Sequence, residues 1–286
     1  MPDFRAYCPP TETEPAEIRL TPEESHHLVA VNRCGRGDPV VVFDGHGREW
    51  ITECADASKG AAVLHVKSSR QAPTRAHDIT LGQALPKGST MDDIIRQATE
   101  VGAARIVPLL SERTQVHLDG DRQDKKLEKW RTTAIEAAKQ CGNPWLPEIS
   151  PIMKIDEFLS RWSPHSEPQH GQRDSSRVRS SEQQDTAATG VGMESDAHHY
   201  DLKLIASLHG GATTLKQALA HHHARHHAAP RNVLWLVGPE GDFSPAEMTA
   251  AITAGFQPIT LGPLVLRSDT AAIYALSILS YELSNQ

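Results

Sequence analysis

Apolar positions change their spacing near residue 77, and that change organises the chain. Before it, short apolar runs are separated by turn residues. Pro39 to Phe43 reads as a strand, Asp44-Gly45-His46-Gly47 as a turn, and Glu49 to Cys54 as the alternating hairpin partner. Ala61 to Val66 reads as a further strand, Ser25 to Val31 as a short helix, and Gln71 to Arg75 as a linker. Short strands without strong helices predict a small barrel.

After residue 77 strands alternate with helices. Ile79 to Leu85, Arg105 to Leu110, Leu202 to Leu208, Asn232 to Val237 and Pro258 to Leu261 read as strands, Asn232 to Val237 as a buried one. Between them, Thr90 is read as the cap of a helix whose apolar stripe is Ile94, Ile95, Ala98 and Val101, closed by Gly102. Lys125 to Gln140, Ile155 to Trp162 and Thr213 to Ala220 read as further helices. Ser244-Pro245-Ala246-Glu247 carries a cap, a proline at the first helical position and a glutamate at the third; Gly255 ends that helix. Ser268 to Leu283 reads as a long last helix. Such alternation predicts a parallel α/β sheet covered on both faces. Residues 163–200 break the pattern. Ser, Gln, Asp, Arg, Gly and His dominate there, and the segment is read as a disordered insertion.

Composition narrows the classes. Of 286 residues, 29 are Lys or Arg and 36 Asp or Glu, a formal charge of −7 that argues against a polybasic nucleic-acid binder but not against a local RNA-binding face. The longest apolar run is too short to cross a bilayer, and the first residues lack a signal-peptide pattern, so a cytoplasmic protein is expected. Four scattered cysteines, with no CxxC pair, predict neither a disulfide framework nor a zinc ribbon. Half of the 16 histidines fall between His198 and His227. With no carboxylate or cysteine pattern beside them, they read as a polar exposed segment, and no metal is expected. Arg122, Lys125, Lys126, Lys129 and Arg131, interleaved with Asp124 and Glu128, read as a solvated helix face. Trp130 reads as core.

Two loops carry the candidate chemistry: Gly238-Pro239-Glu240-Gly241-Asp242-Phe243, and Gly262-Pro263 through Arg267-Ser268. Each follows a strand and precedes a helix. In open α/β sheets ligands sit beyond the carboxyl ends of the strands, and glycine there lets backbone approach a ligand. Two tight turns without a ligand are an equally simple reading of the pattern. Neither a P-loop nor a GxGxxG fingerprint is present.

The wording of these loops is more specific than their spacing. Gly238-Pro239-Glu240-Gly241, Phe243-Ser244, Glu247, Ala254-Gly255-Phe256, Leu261-Gly262-Pro263, Leu266-Arg267 and Thr270-Ala271 resemble the C-terminal signature of the RsmE family, 16S rRNA uridine N3-methyltransferases of the SPOUT superfamily. Met91-Asp92, Ala98-Thr99-Glu100, Gly102, Ser111-Glu112-Arg113, Trp130 and Gln140 are similar to its central motifs, and Arg5, Tyr7, Arg33 and Phe43-Asp44-Gly45 to its beginning. The resemblance implies a PUA-like RNA-binding barrel over 1–74 and a SPOUT domain over 75–286 with a C-terminal trefoil knot. It implies a homodimer acting on 16S rRNA of the small ribosomal subunit, with S-adenosyl-L-methionine (SAM) as methyl donor. By the same resemblance the donor pocket comprises Leu208, Gly238, Glu240, Gly241, Leu261, Gly262, Leu266, Arg267, Ser268 and Thr270. Arg267 and Glu240 are the catalytic candidates, and Arg5, Arg33 and Arg36 the RNA-binding ones. Some positions depart from the family. Asp242 replaces a glycine, Asn143 and Leu264 replace arginines, and Ser268-Asp269 replaces a threonine–glutamate pair. Methylation of another RNA position, and a non-catalytic RNA-binding or ribosome-assembly role, remain as alternatives.

Overall fold

The computed structural model describes residues 4–11, 14–115, 120–161, 199–208 and 211–284. The first part is a five-stranded sheet of β1 (Phe4–Tyr7), β2 (Glu17–Arg19), β3 (Pro39–Phe43), β4 (Arg48–Asp56) and β5 (Val63–Gln71), in the order β1-β3-β4-β5-β2. β1 and β3 run parallel and the other pairs antiparallel. Both edge strands contribute to one core, Ala6 from β1 and Ile18 from β2 meeting Val40, Val42, Trp50 and Leu64, so the sheet is curled around its own interior. The hairpin over Asp44–Gly47 is as expected. β1 and β2 were not read from the sequence: at four and three residues they are too short for alternation to register. The helix expected at Ser25–Val31 is α1 (Pro22–Ser25), capped by Thr21, running into a π-helical turn over His26–Val31. β5 continues to Gln71, five residues past the expected end, because its outer half pairs with β4 while exposed.

The remaining strands form one sheet: β6 (Asp78–Ala84), β7 (Arg105–Leu110), β8 (Glu148–Ile149), β9 (Met153–Lys154), β10 (Leu202–Ala206), β11 (Thr213–Thr214), β12 (Asn232–Val237) and β13 (Gln257–Thr260). The order is β11-β13-β10-β12-β6-β7-β8, with β9 also on β7, and every pairing is parallel. A parallel sheet needs cover on both faces. Along β12, Val233, Trp235 and Val237 enter one cluster and Leu234 and Leu236 the other, following the twofold period of a strand. The first cluster is closed by α2 (Thr90–Glu100), α3 (Gly120–Cys141), α5 (Leu215–His226) and α7 (Ser268–Ser284). The second is closed by α4 (Ile155–Ser160) and α6 (Pro245–Thr253).

Local signals were mostly sound. Ser244 and Glu247 form a reciprocal capping box, Ser244 Oγ accepting from Glu247 N at 3.3 Å and Glu247 Oε2 from Ser244 N at 2.8 Å. Gly102 closes α2, its N–H donating to Thr99 O while Ala103 N–H donates to Ala98 O. Thr90, however, lies inside α2. The cap position is Ser89, whose side chain makes no capping bond. α3 starts earlier, and α5 runs on through the histidines to His226, behind a Thr214–Gln217 capping box. The disordered insertion expected over 163–200 lies outside the described residues except at its end. There Tyr200 packs against the second cluster and its hydroxyl meets Thr80 Oγ1 at 3.1 Å, so this last residue of the expected insertion is part of the fold.

The Asp44–Gly47 turn has a second task. Gly47 N–H donates to Pro144 O at 3.0 Å and Leu146 N–H to Gly45 O at 2.9 Å, docking the turn onto the segment after α3. Gly47 has φ of 85°, and a Cβ there would fall 2.3 Å from the Trp145 ring, so only glycine fits.

Candidate active site

Three strand ends converge on one cavity of about 380 Å³. β10 leads to Ser207 and Leu208, β12 to Gly238, Pro239, Glu240 and Asp242, and β13 to residues 261–267. Of the ten expected pocket residues, Leu208, Gly238, Glu240, Leu261, Gly262, Leu266, Arg267 and Ser268 line it. Gly241 faces a neighbouring cavity instead, and Thr270 faces an outer groove along α7.

The walls are built mainly of backbone and apolar side chains. The Gly238 position is tight for a side chain: a Cβ would lie 3.1 Å from Phe243 N and 3.2 Å from Asp242 Oδ1, so the loop would have to give by a few tenths of an ångström. Asp242, the residue that replaces a family glycine, keeps the glycine-like backbone with φ of 61°. Its carboxylate accepts from Phe243 N–H at 2.8 Å, a local bond of the kind that lets Asp tolerate this region. Leu264 and Val265 are 74% and 77% exposed at the rim. The arginine-to-leucine departure therefore puts apolar surface where a cation would stand.

One buried side chain ties the loops together. Gln83, at the end of β6, is 0% exposed, and its Nε2 donates to Ser268 Oγ and Ala84 O, both at 2.8 Å. Ser268 Oγ in turn donates to Gly238 O at 2.8 Å. Gln83 lies outside the loop motifs of the sequence. The available signal was an uncharged polar residue within the apolar run Ile79–Leu85, since a buried amide needs partners. Glu240 is exposed, and its Oε1 accepts from the backbone N–H of Lys87 at 3.0 Å. Arg267 is exposed and forms no ion pair with Asp269, Glu240 or any other of the described residues.

The RNA-contact candidates differ among themselves. Arg5 is partly buried, pairs with Glu49 at 2.9 Å and lies over the Phe43 ring at 5.2 Å. Arg70 shares Glu49 at 2.7 Å. Arg33 and Arg36 are exposed and have no carboxylate partner among the described residues. On α3, Lys129 pairs with Asp92, Arg131 with Glu128 at 2.7 Å, and Lys126 lies over Trp130. Trp130 is core, its Nε1 donating to Asp92 Oδ1 at 2.9 Å. Among the described residues no group of three or more His, Cys, Asp or Glu side chains is placed to hold a metal, and no helix is long and apolar enough to cross a membrane.

Two family matches place this fold, a parallel sheet with a ligand-sized cleft beside a curled β-sheet, in the class of RNA methyltransferases. The RNA methyltransferase domain family matches residues 73–280 and the RNA methyltransferase PUA domain family residues 20–67. Ribosomal RNA small subunit methyltransferase E of Synechocystis is 30% identical over 274 residues, covering 96% of this chain and 76% of its own. The Bacillus subtilis protein of that name is 27% identical over 277 residues, covering 94% and 91%. A Legionella pneumophila structure described as a methyltransferase in complex with the cofactor SAM superposes with a TM-score of 0.76 at 27% identity, covering 98% of this chain and 97% of its own. The chain belongs to the ribosomal RNA small subunit methyltransferase E family.

Proposed function

We propose that this protein transfers a methyl group from SAM to N3 of one uridine in the 16S rRNA of the small ribosomal subunit. The observation that carries the reading is the cavity at the ends of β10, β12 and β13, with unpaired Arg267 at its mouth. The Legionella relative is described with SAM bound, and the Synechocystis and Bacillus relatives are named for small-subunit rRNA.

The residues fit the donor. A flat nucleoside suits the apolar side chains of Leu261 and Leu266, and the Gly238 and Gly262 backbones leave room for close approach. When bound, SAM supplies a methyl group on a sulfonium, a leaving group that needs no metal. The protein's remaining work concerns the acceptor. A uracil imide nitrogen is protonated near neutral pH and must lose that proton as it attacks. Arg267 stabilises the negative charge that develops on the carbonyl oxygens. Glu240 has one carboxylate oxygen held by Lys87 N–H and the other without a partner among the described residues. That second oxygen is the proton acceptor. With the donor bound, Glu240 would take the N3 proton while Arg267 holds the uracil carbonyl oxygens for attack on the methyl group.

Residues 1–74 act as the RNA-binding unit, with Arg33 and Arg36 on phosphates, and residues 75–286 as the catalytic one. β13 lies in the sheet between β10 and β11, an order in keeping with the trefoil-knotted arrangement. A homodimer is supported by α7, where Ile273, Tyr274, Ile278 and Tyr281 line an outer groove with Tyr274 and Tyr281 largely exposed. A protein acting on ribosomal subunits works in the cytoplasm. Calorimetry with SAM, alongside transfer of its labelled methyl group to unmodified small subunits, tests the reading. Binding without transfer to these subunits points to another RNA position, and absence of binding to a non-catalytic RNA-binding role.

A further inference from the structure

A second cavity, of about 600 Å³, adjoins the first. Lys87 after β6, residues 112–115 after β7, and Glu240 and Gly241 after β12 enclose it. Glu240 lines both cavities, so its side chain stands between them.

Its frame is held in place by hydrogen bonds. Glu112 N–H donates to Glu247 Oε1 at 2.7 Å, and the other oxygen of that buried carboxylate belongs to the capping box of α6. Ser111 N–H donates to Thr114 Oγ1 at 3.0 Å, closing the turn. Arg113 reaches back over Gly241 and donates to its carbonyl at 2.6 Å. Lys87 engages Glu240 through its backbone N–H, not its ammonium. Neither the Lys87 ammonium nor the Arg113 guanidinium has a carboxylate partner among the described residues.

The lining therefore offers two cations, Lys87 and Arg113, and two carboxylates, Glu112 and Glu240. A bare anion would meet both signs at once. A nucleotide satisfies both: its phosphate takes the cations, and its ribose hydroxyls and imide N–H donate to the carboxylates. The volume suits such a ligand. The geometry points to this cavity as the acceptor subsite, taking one nucleotide of an RNA strand, with Lys87 and Arg113 on its phosphates and Glu240 between its base and the methyl donor. The assignment rests on the methyl-transfer reading and adds to it where the RNA enters.

The test uses the full chain with Lys87→Gln, Arg113→Gln and Arg113→Lys. SAM affinity is measured by calorimetry, and binding of unmodified small ribosomal subunits by filter retention across a salt series. Each glutamine variant is expected to keep SAM affinity within about twofold, to weaken subunit binding about tenfold, and to lower the salt slope by about one. Arg113→Lys, which keeps the charge, is expected to retain most of that slope. Unchanged subunit affinity and slope in both glutamine variants would overturn the assignment. So would an equal loss of SAM affinity, which would make the cavity part of the donor site. If wild-type protein transfers no methyl group while its subunit binding still depends on Lys87 and Arg113, the nucleotide site stands and the methyl-transfer reading falls.

Discussion

Ser268 Oγ donates to Gly238 O at 2.8 Å and accepts from Gln83 Nε2 at the same distance. The direction of these bonds is fixed, because Gln83 Nε2 also donates to Ala84 O; turning the amide would set carbonyl against carbonyl. A strand end, a glycine loop and the first turn of α7 are thereby joined through one hydroxyl, immediately beside Arg267.

Removing that hydroxyl leaves the buried Gly238 O without its donor and takes one of the two acceptors of Gln83 Nε2. Ser268→Ala is expected to cost about 1–3 kcal/mol of stability and to weaken SAM binding. Ser268→Thr keeps the hydroxyl and should bind as wild type does. Urea unfolding and calorimetry check both. Equal SAM affinity in the alanine variant would show that the relay does not shape the pocket.

Gly238→Ala tests the close approach of backbone in the same loop. Its Cβ would press on Phe243 N at 3.1 Å, which is main chain and gives way only if the loop moves. The expected outcome is at least about a tenfold loss of SAM affinity with an unaltered circular-dichroism spectrum. Retained affinity would mean that this loop does not touch the donor.

The two sheets are fastened by Lys139, 5% exposed on α3, whose ammonium meets Glu24 of α1 at 2.9 Å. Glu24 also accepts from Tyr7 N–H at 3.0 Å. The nearby Glu136, its side chain 42% exposed, is screened by solvent and adds less. Lys139→Met leaves the Glu24 carboxylate nearly buried without its cation and should cost about 3 kcal/mol. An unchanged urea midpoint would contradict this.

Burial, then the neighbouring Cys54, push the Cys34 thiol up to about 12. Cys141 is exposed. In native protein at pH 8 a thiol reagent should therefore modify Cys141 rapidly and Cys34 only on unfolding. The folded chain holds the Cys34 proton more tightly than the unfolded chain, whose ordinary value is 9.0. This contribution to stability is present below about pH 9 and is lost as pH rises toward 12. A Cys34→Ala variant should show a shallower alkaline decline; an identical decline would count against it.

Much of this architecture was legible from local chemistry. The Ser244–Glu247 capping box, the closing role of Gly102 and the buried run of β12 depend on residues close in sequence, and each is found. What escaped depends on distant partners. β1 and β2 exist because β3 and β5 offer them edges. Gln83 reads as an anomaly in a strand until Ser268, 185 positions away, is seen beside it. The strand-to-helix pattern pointed to the two loops and family resemblance named ten positions in and beside them, of which Gly241 and Thr270 turn to other surfaces. Ser111-Glu112-Arg113 was recognised as a motif, but only the fold brings Arg113 onto Gly241.

The central claim is tested most directly by mapping the modified nucleotide. Small subunits lacking the modification are incubated with the protein and SAM, and their 16S rRNA is then copied by reverse transcriptase, which stops where an N3 methyl group blocks pairing. The account predicts one new stop, at a single uridine near the 3′ end, with wild-type protein. It predicts no stop with a folded Arg267→Ala variant. A stop at another kind of base, or full modification by the Arg267 variant, would contradict it.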